Sequence, residues 1–370
     1  MNSVKTPLRV AIIGAGLIGL KRATALKNFR DFKLAVTADT NSESAKALAI
    51  QFGGEYEGGW ENVVRRDDID VVIVSTFNNA LARISIEALR NKKHVLCEKP
   101  MGRNVQESKE ILHAAKQNGV IVKVGFNHRH HPAITKAKEL AEHGEIGPLY
   151  YLRCRYGHGG RPGYEKEWRA DREICGGGEL LDQGVHVVDL FRWFLGDFDE
   201  AFGYTPTYFW NTKVEDNAFA LFKTGKNQSA IMHTSWTQWK NIFSFEIFGE
   251  AGYLIVDGLG GSYGPETLRI GKRKKEIKNR KTENENQKVV TDYPVSDLRS
   301  SYLGGPPDEE VIEFNGPDIS WEMEWMEFMS AVREGRDPLG NGQDGLEANR
   351  MIEAVYRSAR ENRPVKISEV

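Results

Sequence analysis

Residues 8–39 constrain this chain more than any other stretch. Leu8-Arg9-Val10-Ala11-Ile12-Ile13 is an apolar run of strand length, and it leads directly into Gly14-Ala15-Gly16-Leu17-Ile18-Gly19. Helix-compatible sequence follows from Leu20 to Asn28, then a second apolar run, Phe32 to Ala38, which ends on Asp39. A G-x-G-x-x-G alone says little. Set between a strand and a helix, with an acid at the end of the next strand, it predicts a dinucleotide site. Gly14 permits the tight turn, Gly16 lets the backbone approach a pyrophosphate, and Gly19 lets the helix pack close to the sheet. The helix start, with Leu17 and Ile18, offers unpaired N–H groups and a positive dipole to the phosphates. Asp39 can accept hydrogen bonds from ribose hydroxyls and would repel a 2′-phosphate, so NAD is expected over NADP.

At 370 residues the chain exceeds a comfortable single core, which points to two domains. Its net charge of −2 gives no reason to expect nucleic acid or an anionic membrane as partner. The three cysteines, Cys97, Cys154 and Cys175, are widely spaced. That argues against a disulfide framework or a metal cluster and suits a reducing, cytoplasmic compartment. The apolar run Val10–Leu20 reads as strand and glycine loop, not as a secretory signal, and no stretch has the length to span a membrane.

The first third alternates strand and helix patterns. Helices are expected over 41–52 (capped by Asn41 or Ser42), 60–66, 80–91 and 104–118. Strands are expected over 70–76, 94–97 and 120–126. The alternation predicts a doubly wound parallel sheet over roughly 7–127, with Gly14, Asp39, Thr76, Glu98 and Asn127 at the strand ends where ligands sit. Beyond residue 128 the pattern changes. A helix over 132–143 precedes a strand, Leu149–Tyr156, then a glycine- and arginine-rich loop over 157–178 and a helix over 179–195. Aromatic and β-branched runs at 200–210, 216–224, 228–238, 242–248 and 252–257 then read as an antiparallel sheet. Helices return at 320–334 and 343–361, and the last could pack back on the first domain. The fold class is therefore α/β, with a parallel sheet in 1–127 and an α+β domain on a mostly antiparallel sheet in 128–370. The charged stretch 272–288 reads as a solvated excursion, with a lid or subunit arm as the alternative.

Chemistry concentrates in two places. Lys99, in Glu98-Lys99-Pro100 after the strand 94–97, would point into the cleft, where an ammonium can stabilise developing alkoxide charge. Pro100 keeps Lys99 extended and opens the possibility of a cis bond. The second place is the run Gly176-Gly177-Gly178 to Asp189. Asp182 and His186 stand four apart on one helix face, and Asp189 three further on. A histidine beside carboxylates suits general acid–base work. A metal reading is poorer, since no second His or Cys lies near. His128, His130 and His131 are expected to line the cleft. Arg129, Arg155, Arg161 and Arg169, with Tyr164 and Trp168, flank it. They either bind a nucleotide-linked or acidic sugar, or pair with Glu165, Glu167 and Asp171.

The glycine loop, Glu98-Lys99-Pro100 and Gly176–Asp189, in that order, resemble the Gfo/Idh/MocA oxidoreductases, which include glucose–fructose oxidoreductase and inositol dehydrogenases. The resemblance spans nearly the whole chain. It implies a Rossmann domain joined to a large open antiparallel sheet, a cis bond before Pro100, and homodimers or homotetramers formed through that sheet. It also implies that Lys99, Asp182 and His186 handle a substrate alcohol, with Thr76 and Asn78 as cofactor contacts. Two departures stand out. Leu81 replaces a common histidine, and Lys21-Arg22 follow the glycine loop, where a basic pair could in principle reach a 2′-phosphate. Gly125–Pro132 and Gly160–Arg169 look like members from bacterial surface-polysaccharide and nucleotide-sugar metabolism. The expected reaction is hydride transfer between a secondary alcohol of a sugar, nucleotide-sugar or cyclitol and NAD. His186 takes the hydroxyl proton, Lys99 holds the oxygen, and Asp182 orients either the substrate or His186. The alternatives are an NAD-dependent glycoside-cleaving enzyme and a non-catalytic dinucleotide sensor; retention of Lys99, Asp182 and His186 together argues against the sensor.

Overall fold

A computed structural model of the chain describes residues 7–273 and 307–370. Six strands form the first sheet: β1 (Leu8–Ile13), β2 (Phe32–Ala38), β3 (Glu55–Glu57), β4 (Val71–Val74), β5 (His94–Cys97) and β6 (Val122–Val124). They pair in the order β3-β2-β1-β4-β5-β6, all parallel. Val71 to Val74 are fully buried, as a central parallel strand covered on both faces requires. The connecting helices are α1 (Leu17–Leu26), α2 (Ser42–Phe52), α3 (Trp60–Arg65), α4 (Asn78–Arg90) and α5 (Val105–Asn118). Asn41 caps α2 by accepting from the N–H groups of Glu43 and Ser44. The strand order reverses between β1 and β4, and that crevice is where a doubly wound sheet binds its ligand.

The second sheet has nine strands: β7 (Leu149–Gly157), β8 (Glu200–Tyr204), β9 (Asn217–Lys223), β10 (Ser229–Ser235), β11 (Ile242–Gly249), β12 (Gly252–Asp257), β13 (Glu266–Lys272), β14 (Asp308–Phe314) and β15 (Val365–Lys366). Their order is β14-β13-β12-β11-β7-β10-β9-β8-β15, antiparallel except between β7 and β10. The helices of this part are α6 (Pro132–Glu142), α7 (Arg172–Cys175), α8 (Glu179–Asp182), α9 (Gly184–Leu195), α10 (Ser320–Glu334) and α11 (Gly342–Glu361). Period-two alternation shows on β9, where Ala218, Ala220 and Phe222 are buried while Phe219 and Leu221 face out. Helix α9 packs on the buried face, bringing Phe191 and Phe194 against Phe245.

Two expectations are corrected. The strand expected over 200–210 stops at Tyr204, because the Asp216 carboxylate collects the N–H groups of Tyr208, Phe209 and Trp210 and turns the chain. The helix expected over 179–195 is two helices, α8 and α9, that break at Gln183. Both C-terminal helices return to the first domain. Trp325, Phe328 and Met329 of α10 pack with Leu8, Val10, Ile12 and Leu26, while α11 lies on α5 and β8. The backbone joins too, since the Val124 N–H donates to the Gly340 carbonyl at 2.8 Å. Of the charged stretch 272–288, all beyond Arg273 lies outside the described residues.

Candidate active site

The glycine loop has the shape its sequence requires. Gly14 has φ +102°, and a Cβ there would lie 2.4 Å from the Ser75 carbonyl oxygen. A Cβ on Gly19 would lie 2.0 Å from the Gly14 oxygen, so the helix could not close on the strand. Around Gly16 nothing stands within 4 Å. Helix α1 has no side-chain cap, so its first N–H groups and the exposed Leu17 face open space. Asp39 braces the loop: its Oδ2 accepts from Ala15 N at 2.6 Å and its Oδ1 from Asn41 N at 2.7 Å. These residues fit a dinucleotide pyrophosphate and its ribose.

From this loop a cleft of about 440 Å³ runs between the two sheets. Ile18, Thr76, Asn78, Glu98, Lys99 and Asn127 line one side; Trp168, Arg169, Asp182 and His186 line the other. A cis peptide bond joins Lys99 to Pro100. Lys99 Nζ donates to Asp182 Oδ1 at 2.9 Å and to the Asp182 carbonyl at 2.6 Å. Arg169 Nε donates to the other carboxylate oxygen at 3.1 Å. Burial alone would raise the Asp182 carboxyl, but Lys99 and Arg169 hold it well below the usual carboxylate range.

His186 is buried, and its ring stacks on His128 with centroids 3.8 Å apart. Burial, then the nearness of Lys99 and His131, pushes it well below the ordinary histidine range, so it is neutral near pH 7. His128 is fixed by Tyr156 Oη at 3.1 Å, and His131 by Glu266 at 3.1 Å. Both line the cleft; His130 is buried away from it.

Several expected neighbours are elsewhere. Asp189 does not touch His186; it grips Arg129 with two bonds, at 2.6 and 2.8 Å. Arg129 also meets Asp344 at 3.2 Å and is buried outside the cleft, which corrects its expected place on the substrate. Arg161 is exposed and pairs with Glu167, and Tyr164 is buried against Trp236 and Trp210. Neither lines the cleft. Arg155 lies on the far face of the second sheet. Arg22 cannot reach a 2′-phosphate, because Glu98 and Glu324 hold it at 2.6 and 2.5 Å. Leu81, at the common histidine position, is core.

The cleft also has walls that no local pattern announced. Tyr156 is one, and the segment Leu259–Tyr263 is another. The glycines at 258, 260, 261 and 264, all at positive φ, are the signal that could have marked that segment as a shaped loop. Asp318 and Trp321 arrive at the start of α10, with Lys21 5.0 Å above the Trp321 ring.

Oxidation at an alcohol carbon needs a seat for nicotinamide, a cation at the oxygen and a neutral proton acceptor. The crevice joins all three, which is the architecture of a nicotinamide-dependent oxidoreductase. Residues 8–126 match the profile of the oxidoreductase family with an NAD-binding Rossmann fold, and 134–255 match the GFO/IDH/MocA C-terminal domain. The chain belongs to the Gfo/Idh/MocA oxidoreductase family, and its cofactor is NAD. It is 34% identical to levoglucosan dehydrogenase of Pseudarthrobacter phenanthrenivorans over 202 residues, 52% of each chain. It is 24% identical to myo-inositol 2-dehydrogenase of Thermotoga maritima across 98% of this chain and 99% of that one. A solved levoglucosan dehydrogenase in complex with NADH shares the fold, with a TM-score of 0.82 at 22% identity over 97% of this chain and 99% of its own.

Proposed function

We propose that this protein is an NAD-dependent dehydrogenase of a small, uncharged sugar or cyclitol. The observation that carries the substrate class is the pairing of the arginines. Arg129 is tied to Asp189, Arg161 to Glu167 and Arg169 to Asp182, which among the described residues leaves no unpaired arginine in the cleft for a phosphate or carboxylate. Trp168, stacked on Phe77 with centroids 5.0 Å apart and with Arg169 4.4 Å from its ring, adds an apolar aromatic wall to the cleft. A nucleotide-linked sugar loses the support that its arginine contacts were expected to give.

Bound NAD supplies the hydride acceptor. Lys99 then donates a hydrogen bond to the substrate oxygen and stabilises charge as the proton leaves. His186, held neutral by burial, takes that proton. Asp182 keeps Lys99 aimed through the 2.9 Å contact; it does not orient His186. Residues 1–127 supply the cofactor side and 128–370 the substrate side. Exposed Phe202, Tyr204, Leu221 and Ile231 on the outer face of the second sheet support a homo-oligomer formed through it. The three cysteines are free and buried, which suits a reducing, cytoplasmic setting.

Native mass spectrometry followed by a panel of free and nucleotide-linked sugars tests this reading. The expected result is exchangeable NAD and net NADH formation with a free sugar or cyclitol. Turnover of only nucleotide-linked sugars would overturn the substrate class. Sugar release without net NADH from tightly held NAD would instead establish glycoside cleavage by transient oxidation.

A further inference from the structure

A second cavity, of about 310 Å³, shares no lining residue with the NAD cleft. Its walls include segments that flank the catalytic pair, Lys99 and Asp182, together with helix α11 and the stretch 205–215. Gly176, Gly177 and Leu181 lead into Asp182, and Arg103 follows the Lys99–Pro100 turn. Four basic side chains line it, Arg103, Arg172, Lys213 and Arg360, against two acids, Glu215 and Glu353.

The acids are already engaged. Glu215 Oε1 accepts from Gly178 N at 3.0 Å, Leu180 N at 3.1 Å and Tyr356 Oη at 2.6 Å. Glu353 takes Arg360 at 3.0 Å. Arg103 is held by Glu107. Arg172 and Lys213, by contrast, are exposed and have no ion-pair or hydrogen-bond partner among the described residues. Thr205 adds a hydroxyl on the same wall. Two unpaired cations facing a concave, hydroxyl-bearing wall suit a compact oxyanion, which an arginine fork and a lysine bind through charge-assisted bonds.

We propose that this cavity binds a compact phosphate-bearing anion through Arg172 and Lys213, and that its occupancy is felt at Lys99 and Asp182 through those flanking segments. The anion would pull on the segment just before Asp182 and on the turn just after Lys99, so it would bias the seat of the nicotinamide without touching it.

The probe is inorganic pyrophosphate, titrated by calorimetry into the full chain saturated with NADH, which keeps the dinucleotide loop filled. One saturable equivalent is expected, weakened about tenfold or more in the double variant Arg172→Gln/Lys213→Gln. A separate fluorescence titration reads NADH affinity with and without pyrophosphate. A change of about fivefold is expected in the wild type and none in the double variant, whose own NADH affinity stays unchanged. Absence of saturable pyrophosphate binding overturns the site. A shift in NADH affinity that persists undiminished in the double variant places the anion at the glycine loop and overturns it as well. Binding that leaves NADH affinity untouched overturns the link to the catalytic pair.

Discussion

Glu98 and Lys99 are consecutive residues that belong to two different charge clusters. Glu98 turns inward to Arg22, which Glu324 grips from the other side, with Lys123 3.8 Å from Glu324. The Arg22, Glu98 and Glu324 side chains are at most 9% exposed. Lys99 turns outward to Asp182 and Arg169, whose side chains are 16% and 29% exposed. The inner cluster clamps helix α1, strand β5 and helix α10 together. Arg22 and Glu324 are enclosed and serve to hold, and Glu98 shows only its edge to the cleft. The outer cluster keeps one lysine aimed while leaving it open to a ligand. One strand end thus supplies an anchor and a reagent in successive positions, because an extended chain points them to opposite sides.

That contrast can be broken by experiment, and the largest effect is expected at the open cleft. His186→Ala should cut turnover by about 10²–10⁴-fold while NAD binding stays near normal. Full activity in that variant removes His186 from the chemistry. Next, Glu324→Ala leaves Arg22 with half its partners in a buried site and should cost about 3–5 kcal/mol in denaturant unfolding. Lys99→Met, at the outer cluster, should lower kcat by about 10²–10³-fold with a much smaller loss of stability. If the two variants cost the same in unfolding, the division into anchor and reagent fails.

A pH profile sharpens the comparison further. His186 is depressed by burial, so it remains an acceptor down through pH 6.5, its ordinary value. The acidic limb of kcat/KM for alcohol oxidation should therefore lie below pH 6.5. The unfolded chain takes that proton more readily, so the same group disfavours the fold as pH falls past that point. The smallest effect is expected at Arg161. Its pairing with Glu167 is exposed, and Arg161→Ala should change stability by no more than about 0.5 kcal/mol. A marked rise in KM in that variant would instead bring Arg161 back to the substrate.

The dinucleotide half was legible because each of its devices is local. Gly14, Gly19 and Asp39 act within one strand–loop–helix unit, and the apolar run Val71–Val74 could only be a covered strand. The substrate half was legible only in part. Lys99, Asp182 and His186 stand out by their motifs and line one cleft, yet Asp182 bonds Lys99 and not His186. The break at Gln183 sets that partnership, and helix spacing does not show it. Arg161 takes the alternative that its own loop offered, a carboxylate six residues on, whereas residue type alone does not reveal the partner of Arg129 60 residues away. Trp321 and Asp318 were invisible for the same reason, since they reach the cleft from the other end of the chain.

Helix α10 carries a consequence for how the molecule is made. Arg22 meets Glu324 across 302 residues, and Trp325, Phe328 and Met329 fill the apolar layer beneath α1. A ribosome that has released the first 127 residues has released a sheet whose outer layer is missing. The cofactor half must wait, exposing that layer, until nearly the whole polypeptide has emerged. Closing so long a loop is slow compared with local helix formation. The window before α10 docks is when this chain is most open to aggregation and to chaperones.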